Sequence, residues 1–471
     1  NGAGKSTFVR QLTGVEVPTR GKLIFDGKER HFENPMDARD AGIETVFQTL
    51  ALADDLNVPD NLFLGREIFK IRLGPFSILD YKAMREATIA GLEKTAVKIP
   101  NINNTIRNMS GGQRQCVAIA RTATFHSKLT IMDEPTAALG VQETAQVENI
   151  IRTLKEQGEP LILISHNMGQ VHADAIASVP GAVLVAVTDA MPAAAQAVAD
   201  KHGCEIRDMA QIEAASDIDA VVICTPTDTH ADLIERFVKA GKAVFCEKPV
   251  DLSVARVQDC LKVVNRVDGK LMVGFQRRFD PDFRALKAAI DDGKIGDVEM
   301  VTLTSRDPAA PPIGYIERSG GIFRDMTIHD FDVARWLLGE EPVSVMAAAS
   351  VLTDPAIGKV GDFDSANVIL TTASGKQATI NNTRRATYGY DQRIEVHGSE
   401  GSVTAENHRQ ARIELANAEG YTRPPLLDFF MSRYTAAYAA EIAAFVAALA
   451  EGSPMPTTGE DGLRALALAE A

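Results

Sequence analysis

The sequence predicts an α/β protein: two successive regions of alternating strands and helices come first, and an α+β region with an open, largely antiparallel sheet follows. Three observations support this fold class. Short apolar runs alternate with amphipathic segments up to about residue 275, which is typical of parallel sheets. Strands of period two replace this pattern after residue 280. The 471 residues, 45% hydrophobic and 24% charged, are enough for two or three cores.

Charge and cysteine content restrict the possible partners. The formal net charge is −14 and there is no basic tract, which disfavours nucleic acid and anionic membranes as partners. The five cysteines lack metal-ligand or CxxC spacing, so we expect a reducing compartment. No apolar run reaches the roughly 18 residues that a membrane span needs. We therefore expect a cytoplasmic protein that acts on small molecules.

The chain begins with a phosphate-binding pattern, because NGAGKST matches GxxxxGK[ST] without its leading glycine. Backbone amides of such a loop surround phosphates, the lysine reaches the terminal phosphates, and the serine hydroxyl binds Mg²⁺. A glycine-rich turn before an ordinary helix is the alternative, which the later motifs disfavour. The pattern predicts an ATP site with Mg²⁺ that contains Gly2, Gly4, Lys5, Ser6 and Thr7.

Further motifs follow in order: Gln48 after an apolar strand, Ser110-Gly111-Gly112-Gln113 at a helix start, Asp133-Glu134 in LTIMDEP, and His166 ending LILISH. Together they resemble the ATP-binding cassette (ABC) family, and VFQTLALADDLNVPDNLFLGRE resembles the ATPases of bacterial sugar importers. The resemblance implies that Asp133 holds Mg²⁺, that Glu134 activates water, and that Gln48 and His166 contact the γ-phosphate. Residues 110–113 would serve a partner subunit's nucleotide, and a membrane permease is an implied partner.

The ATPase-like part, residues 1–166, is expected to be incomplete. Family strands that precede the phosphate loop, with the aromatic residue that stacks on adenine, are missing, and so is the region after His166. Missing strands leave sheet edges unpaired. We therefore expect a weakened ATP site and leave ATP hydrolysis open.

From Gly169 the sequence predicts a second parallel sheet. Asp189 ends the strand AVLVAVTD 20 residues after Gly169, the spacing at which a carboxylate holds the adenosine ribose of NAD. A turn-forming aspartate is the alternative on spacing alone. CTPTDTH follows one later strand and Glu247-Lys248-Pro249 follows the next. Pro249 favours an extended Lys248 at the carboxyl end of its strand, where open α/β sheets bind ligands.

These motifs, with GQVHADAIA and GFQRRFDP, resemble the glucose–fructose oxidoreductase and inositol dehydrogenase family (Gfo/Idh/MocA) over about 300 residues. The resemblance implies an NAD-binding domain over residues 167–280 and a substrate and homo-oligomer domain over residues 281–471. A late helix, 434–450, carries an apolar stripe that predicts a core helix. The residues expected to bind NAD are Gly169, Asp189, Thr225, Pro226, His230, Glu247 and Lys248.

Asp325 and His329 lie four residues apart in SGGIFRDMTIHDFD, so on a helix they would share one face. A satisfied buried histidine or an exposed i,i+4 pair is the alternative. Oxidation of a secondary alcohol needs a base and a cation at the hydroxyl oxygen. We assign His329 as the base, Asp325 as the carboxylate that orients it, and Lys248 as the cation; the resemblance implies the same three roles.

The substrate expectation rests on FQRRFD and YGYDQRIEV, which resemble the inositol 2-dehydrogenase members of the family. This resemblance implies a cyclic polyol as the substrate. Arg278 and Tyr390 are the expected contacts to it, with Tyr388 as an alternative to Tyr390. An aromatic residue that only packs between strands is an equally good interpretation of either tyrosine.

The two resemblances meet in LILISHNMG, residues 161–169. LILIS would lie beside the strand of Asp133 in an ATPase, yet it would also be the first strand of the dinucleotide fold, and one strand cannot serve both sheets. With Gly169 as the third glycine of GxGxxG, Ile164 and His166 occupy the other two glycine positions. Their side chains obstruct the tight turn and the approach of the pyrophosphate, so NAD affinity is expected to fall by several kcal/mol.

The favoured function is therefore NAD-dependent oxidation of a cyclic polyol, in a chain that also carries a partial ATPase. One alternative is an ATP-binding subunit of a sugar importer with a degenerate oxidoreductase; another is an inactive remnant that binds neither nucleotide well. The join lacks the Pro, Gly or Ser linker that a functional tandem fusion usually carries. A fused gene and an erroneous join of neighbouring genes both stay open at this point.

Overall fold

The computed structural model describes residues 5–18, 21–46, 50–72, 77–95, 97, 99–125, 127–133, 141–164, 168–418 and 420–471. The chain forms two compact units, residues 3–166 and 167–471. Within these ranges no helix combines the length and apolar character needed to cross a bilayer.

The first unit is built on a three-stranded parallel sheet with the order β3-β6-β7. Apolar side chains of its helices cover the sheet, with Ile119, Val147 and Ile150 packed around Met132. Two antiparallel hairpins, β1–β2 and β4–β5, complete the strands. The elements are α1 (Lys5–Leu12), β1 (Leu23–Phe25), β2 (Lys28–Arg30), α2 (Pro35–Asp40), β3 (Ile43–Val46), α3 (Val58–Leu62), β4 (Phe69–Ile71), β5 (Ile78–Leu79), α4 (Tyr81–Lys94), α5 (Gly111–Thr124), β6 (Leu129–Asp133), α6 (Val141–Glu156) and β7 (Leu161–Ile164).

The strand LILI, which both predicted sheets need, belongs to the first unit. It forms β7 and pairs in parallel with β6, so that Leu161 lies opposite Thr130 and Ile164 lies opposite Asp133. The backbone amides and carbonyls along this edge are therefore committed to β6. The second unit has to form its sheet without them.

The second unit begins with alternating helices and strands, and its parallel strands fall into two groups, β8–β9 and β10-β11-β12. In a doubly wound sheet of order 3-2-1-4-5-6, the first strand lies between the second and the fourth. Here no strand of the described second unit joins β8 to β10. The elements are α7 (Met168–Ser178), β8 (Ala186–Val187), α8 (Pro192–His202), β9 (Glu205–Ile206), α9 (Met209–Ala214), β10 (Ala220–Ile223), α10 (His230–Lys239), β11 (Ala243–Glu247), α11 (Val254–Arg266) and β12 (Leu271–Gly274).

The rest of the second unit contains a six-stranded open sheet of order β14-β15-β16-β13-β17-β18. Among these strands only the β13–β16 pair is parallel, which confirms the predicted, largely antiparallel sheet. The elements are α12 (Pro281–Asp291), β13 (Val298–Arg306), α13 (Ile313–Ser319), α14 (Ile328–Leu338), β14 (Pro342–Ser350), α15 (Pro355–Lys359), β15 (Ser365–Thr372), β16 (Gln377–Thr383), β17 (Asp391–Gly398), β18 (Gly401–Ala405), β19 (Leu415–Asn417), β20 (Gly420–Thr422), α16 (Phe430–Arg433), α17 (Thr435–Glu451) and α18 (Gly459–Glu470).

Candidate active site

Lys248 lies directly after β11, at the carboxyl end of the central strand of β10-β11-β12. Its Nζ donates a hydrogen bond of 2.7 Å to the backbone oxygen of Asp325 and lies 3.5 Å from Oδ1 of the same residue. The lysine side chain keeps 15% of its surface exposed. The ammonium is therefore held in place while it stays accessible to a small molecule.

Asp325 is the centre of a group of polar contacts. Its Oδ1 accepts a hydrogen bond of 2.8 Å from the Tyr315 hydroxyl, and its Oδ2 lies 3.6 Å from the buried guanidinium of Arg384. The negative charge of Asp325, with burial, raises the pKa of Tyr315 well above its ordinary value, so the phenol stays protonated. Tyr315 and Arg384 were not predicted as site residues, because nothing in the local sequence around either residue indicates a site.

The expected hydrogen bond between Asp325 and His329 is not present among the described residues. Phe323–Thr327 form a π-helical turn that includes Asp325 and ends before His329. A π turn closes hydrogen bonds over five residues instead of four, so residues four apart no longer lie on one face. Asp325 contacts Lys248 and Tyr315 instead.

His329 is a neutral imidazole in this setting. Burial lowers its pKa well below 6.5, and the positive charges of Lys248 and Arg277 lower it further. Its Nδ1 is buried and has no hydrogen-bond partner, and the Phe275 ring meets it edge-on at a centroid distance of 6.3 Å. A neutral imidazole beside an ammonium can accept a proton at neutral pH.

The residue after His329 anchors the start of α14. Asp330 is fully buried and accepts hydrogen bonds from Arg277 at 2.6 Å, Ser305 at 2.5 Å and Asn382 at 2.9 Å. These partners come from the loop after β12, from β13 and from β16. The network therefore fixes the backbone that carries His329 against the sheet.

Changing Asp330→Asn is expected to lower the free energy of unfolding of the second unit by about 3–5 kcal/mol, because the buried Arg277 loses its counter-charge. Urea unfolding followed by the fluorescence of Trp336, the single tryptophan, measures this change in α14. Asp259→Asn is the matched control, since its pair with Lys262 is exposed to solvent and should contribute little to stability. Equal losses in both variants would show that the network does not anchor α14.

Asp307, just after β13, is a second carboxyl at the site that the sequence analysis missed. Burial and the negative charges of Asp325 and Asp330 raise its pKa to about 7, although Arg384 and Arg277 act in the opposite direction. The Asp307 carboxyl therefore gains or loses its proton near neutral pH. In the sequence, Asp307 is only the last residue of a predicted strand before Pro308, and nothing there indicates a site.

The two predicted substrate residues, Arg278 and Tyr390, both contact other side chains of the protein. Arg278 donates to Asp332 at 2.8 and 2.5 Å and to Asp461 at 2.9 Å, so its guanidinium is occupied by two carboxylates. Tyr390 is buried and its ring meets that of Tyr434 edge-on at 6.2 Å. These contacts give Arg278 and Tyr390 structural partners, and a substrate role for either residue stays a prediction.

Tyr388, the alternative to Tyr390, has 49% of its surface exposed. Its hydroxyl donates to Asp391 at 2.6 Å and accepts from Arg306 at 3.0 Å. Of the two tyrosines, Tyr388 is therefore the one with a surface that a ligand can reach.

Three of the residues expected to bind NAD follow β10. His230 is buried, with Nε2 2.7 Å from the Thr225 carbonyl oxygen and Nδ1 2.8 Å from the Pro249 carbonyl oxygen. It therefore joins the loop of Thr225 and Pro226 to the segment that follows Lys248. This geometry makes His230 a positioning residue for that loop.

Three further residues of the NAD prediction lie apart from that loop. Gly169 is the second residue of α7. Asp189 follows β8, is exposed, and accepts a hydrogen bond of 2.8 Å from the Met191 amide. Glu247 ends β11, with its Oε1 2.6 Å from Nε2 of His172.

The parallel strands β3, β6 and β7 of the first unit end at Val46, Asp133 and Ile164, at one edge of the sheet. Lys5, Ser6 and Thr7 form the first turn of α1. Ser110 caps α5: its hydroxyl accepts from the Gln113 amide, and the Gln113 side chain accepts from the Ser110 amide, while Gly111 and Gly112 begin the helix. The remaining predicted ATP residues lie outside the described residues: Gly2, Gly4, Gln48, Glu134 and His166.

Family comparisons divide the chain in the same order as its motifs. Residues 1–137 match the ABC transporter family, residues 161–275 match the oxidoreductase family with an NAD-binding Rossmann fold, and residues 283–404 match the GFO/IDH/MocA C-terminal domain. The Rossmann match begins at Leu161, the first residue of β7. The comparison therefore assigns to the oxidoreductase a strand that pairs with β6 of the first unit.

Individual relatives agree with this division. The chain is 67% identical to an inositol 2-dehydrogenase of Rhizobium meliloti (strain 1021), over 66% of this chain and 94% of that protein. It is 49% identical to a fructose import ATP-binding protein of Rhizobium meliloti, over 36% of this chain and 67% of that protein.

Among solved structures, scyllo-inositol dehydrogenase from Lactobacillus casei with bound NAD(H) and scyllo-inositol matches with a TM-score of 0.61 and 32% identity. The match covers 65% of this chain and 93% of that one. The chain thus belongs to the Gfo/Idh/MocA oxidoreductase family and carries an ABC transporter ATPase region ahead of its oxidoreductase part.

Proposed function

We propose that the second unit oxidises a secondary alcohol of an inositol-type cyclic polyol to a ketone, with NAD⁺ as the hydride acceptor. The observation that carries the proposal is the accessible ammonium of Lys248, which Asp325 holds in place. His329 supports it, because burial and the charge of Lys248 lower the pKa of this imidazole well below 6.5. The identity of 67% to an inositol 2-dehydrogenase supports the inositol class of substrate.

The chemistry of the site follows from these side chains. Lys248 donates a hydrogen bond to the reacting hydroxyl and stabilises the alkoxide character that develops there. His329 takes the hydroxyl proton as general base. Asp325, held by Tyr315, keeps the ammonium at this position. A nicotinamide bound beside the polyol would supply the hydride acceptor.

The residues present fit part of an NAD molecule. The exposed carboxylate of Asp189 suits the hydroxyls of the adenosine ribose, and the loop of Thr225 and Pro226 lies at the strand end next to Lys248, where the nicotinamide would bind. The pyrophosphate has less support, because the described second unit lacks a strand between β8 and β10. We therefore expect NAD⁺ to bind weakly.

For the first unit we propose ATP binding with Mg²⁺, in which Lys5 contacts phosphates and Ser6 and Asp133 hold the ion. The support is the common edge at which β3, β6 and β7 end, because the predicted ATP residues Gln48, Glu134 and His166 follow these ends in the sequence. A permease as partner follows from the import function in the name of the fructose relative.

A homo-oligomer is proposed for the oxidoreductase part. Strands β15 to β17 alternate buried and exposed residues, so one face of the sheet is covered and the other is open. The open side of this sheet carries exposed apolar residues such as Met300, Val343, Met346 and Ile369. Exposed apolar surface of this kind commonly forms subunit interfaces.

The function is tested with the purified full chain at high NAD⁺ concentration. We expect myo-inositol or scyllo-inositol to cause NAD⁺ reduction, with a KM for NAD⁺ well above that for the polyol. ATP binding without any NAD⁺ reduction would favour the transport-subunit alternative. The absence of both nucleotide activities would identify a chain that folds without either function.

The acid side of the pH profile tests the base. Because His329 acts when neutral and its pKa is held well below 6.5, kcat/KM for the polyol should be retained as the pH falls through 6.5. Protonation should abolish activity only at lower pH. Steady-state rates between about pH 4.5 and 8.5, which is about two pH units on either side of 6.5, measure the loss of activity on the acid side.

Asp307→Asn separates the two groups that titrate near the site. If a loss of activity near pH 7 appears in the wild type and disappears in this variant, then Asp307, and not His329, controls the profile in that range. A profile that is unchanged by Asp307→Asn, with its acid limb below 6.5, supports His329.

A further inference from the structure

A second cluster of ionisable side chains lies where three elements of the second unit meet. His172 comes from α7, Glu247 is the last residue of β11, and Glu441 comes from α17. One nitrogen or oxygen from each residue lies within 4.8 Å of the other two. Nε2 of His172 and Oε1 of Glu247 are 2.6 Å apart.

Glu441 is the unusual member of this cluster. It is 0% exposed, and neither of its carboxylate oxygens has a hydrogen-bond partner. Across the described part of the chain, no lysine or arginine forms an ion pair with Glu441 or Glu247. An ionised carboxylate buried without a donor costs several kcal/mol, so a proton or a cation has to neutralise it.

The surroundings of the cluster are apolar and favour a cation. The rings of Phe245 and Tyr438 pack against the His172 ring at centroid distances of 5.1 and 5.8 Å. Apolar walls around acidic ligands strengthen the attraction of a cation.

We propose that His172, Glu247 and Glu441 bind one divalent transition-metal ion of the Zn²⁺ class. An imidazole nitrogen with carboxylate oxygens suits Zn²⁺, Fe²⁺ or Mn²⁺ better than Mg²⁺ or Ca²⁺, which prefer oxygen ligands alone. Bonds of about 2.0–2.2 Å to one ion bring ligand atoms to roughly 3–4 Å from each other. The observed separations reach this range with small side-chain rotations.

The ion would join α7 and α17 to the end of β11. Glu247 immediately precedes Lys248, so the ion would also fix the strand end that carries the active-site ammonium. The competing state has a proton on Glu441, shared with Glu247. The two states differ in a measurable way, because only the first takes up metal.

The test uses the full chain after treatment with a chelator. Co²⁺ is added first, since its visible ligand-field bands report nitrogen and oxygen coordination, and Zn²⁺ is then used to displace it. We expect one ion per chain, and Glu441→Gln should weaken binding by at least about tenfold. Glu451→Gln is the matched control, because this glutamate lies at the exposed end of the same helix, and its affinity should equal that of the wild type.

Two results would overturn the metal site. One is the absence of Co²⁺ uptake by the wild-type chain; the other is equal affinity in the wild type and Glu441→Gln. Urea unfolding followed by Trp336 verifies that each variant is folded, and His172→Gln replaces Glu441→Gln if that variant fails to fold. If the Glu441→Gln chain is more stable than the wild type and its metal affinity equals that of the wild type, the cluster holds a shared proton instead of an ion.

Discussion

Replacing Lys248 by methionine is expected to lower kcat/KM for polyol oxidation by about 10²–10⁴-fold, measured at saturating NAD⁺. Methionine keeps much of the length of the side chain but removes the charge that we propose to contact the reacting hydroxyl. Asp325 also loses its nearest cation, since Nζ of Lys248 lies 3.5 Å from its Oδ1. The loss should fall mainly on kcat, because the interaction strengthens as negative charge develops on the oxygen.

Lys262→Met is the matched control for this prediction. Lys262 lies on α11, is largely exposed and pairs with Asp259, so its removal should leave the rate within about twofold of the wild type. Unfolding curves of both variants separate a chemical loss from a loss of folded protein. A Lys248→Met chain that retains more than about a tenth of the wild-type kcat/KM would show that the ammonium does not act on the hydroxyl.

The local sequence pattern predicts most of the parallel strands of the second unit. Apolar runs bounded by turn residues predict strands near residues 219–224, 243–246 and 271–275, and β10, β11 and β12 match them within a residue or two. The runs are continuous because β11 and β12 are almost fully buried and β10 is half-buried. The strand predicted in AVLVAVTD is reduced to β8, Ala186–Val187. Among the described strands β8 pairs with β9 alone, and a short strand with one partner has few hydrogen bonds to extend it.

The candidate site was predictable only where its residues stand in a motif. Lys248 lies in a recognisable strand-end sequence, whereas Tyr315, Asp307 and Arg384 come from separate segments that tertiary folding brings together. Helical spacing predicted a contact between Asp325 and His329 that the π-helical turn removes. Such a turn depends on packing around the segment and leaves no trace in residue spacing.

Glu441 illustrates the same limit for the proposed metal site. Its helix, α17, was predicted from an apolar stripe, and the structure confirms buried Tyr438, Ile442 and Phe445 on it. A glutamate in the middle of an alanine-rich helix is normally interpreted as a solvent-facing residue. Only the packing of α17 against α7 shows that Glu441 is buried beside His172 and Glu247.

A second strand and glycine loop should restore NAD⁺ binding. We expect insertion of LILGSGN between Asn167 and Met168 to raise NAD⁺ affinity by at least about 100-fold, or about 3 kcal/mol, measured by titration of the full chain. The inserted segment places glycine at the first two positions of GxGxxG, with Gly169 as the third. Because β7 stays paired with β6, the first unit keeps its sheet while the second unit gains a strand between β8 and β10.

Insertion of LILISHN at the same place is the matched control, because it repeats the native segment and supplies the strand without the glycines. If the strand alone were the defect, both insertions would improve NAD⁺ binding equally. If the side chains at the glycine positions also obstruct the pyrophosphate, the LILGSGN chain should bind NAD⁺ at least about tenfold more tightly than the control. If neither insertion improved binding, the lack of a strand between β8 and β10 would not be what limits NAD⁺ affinity.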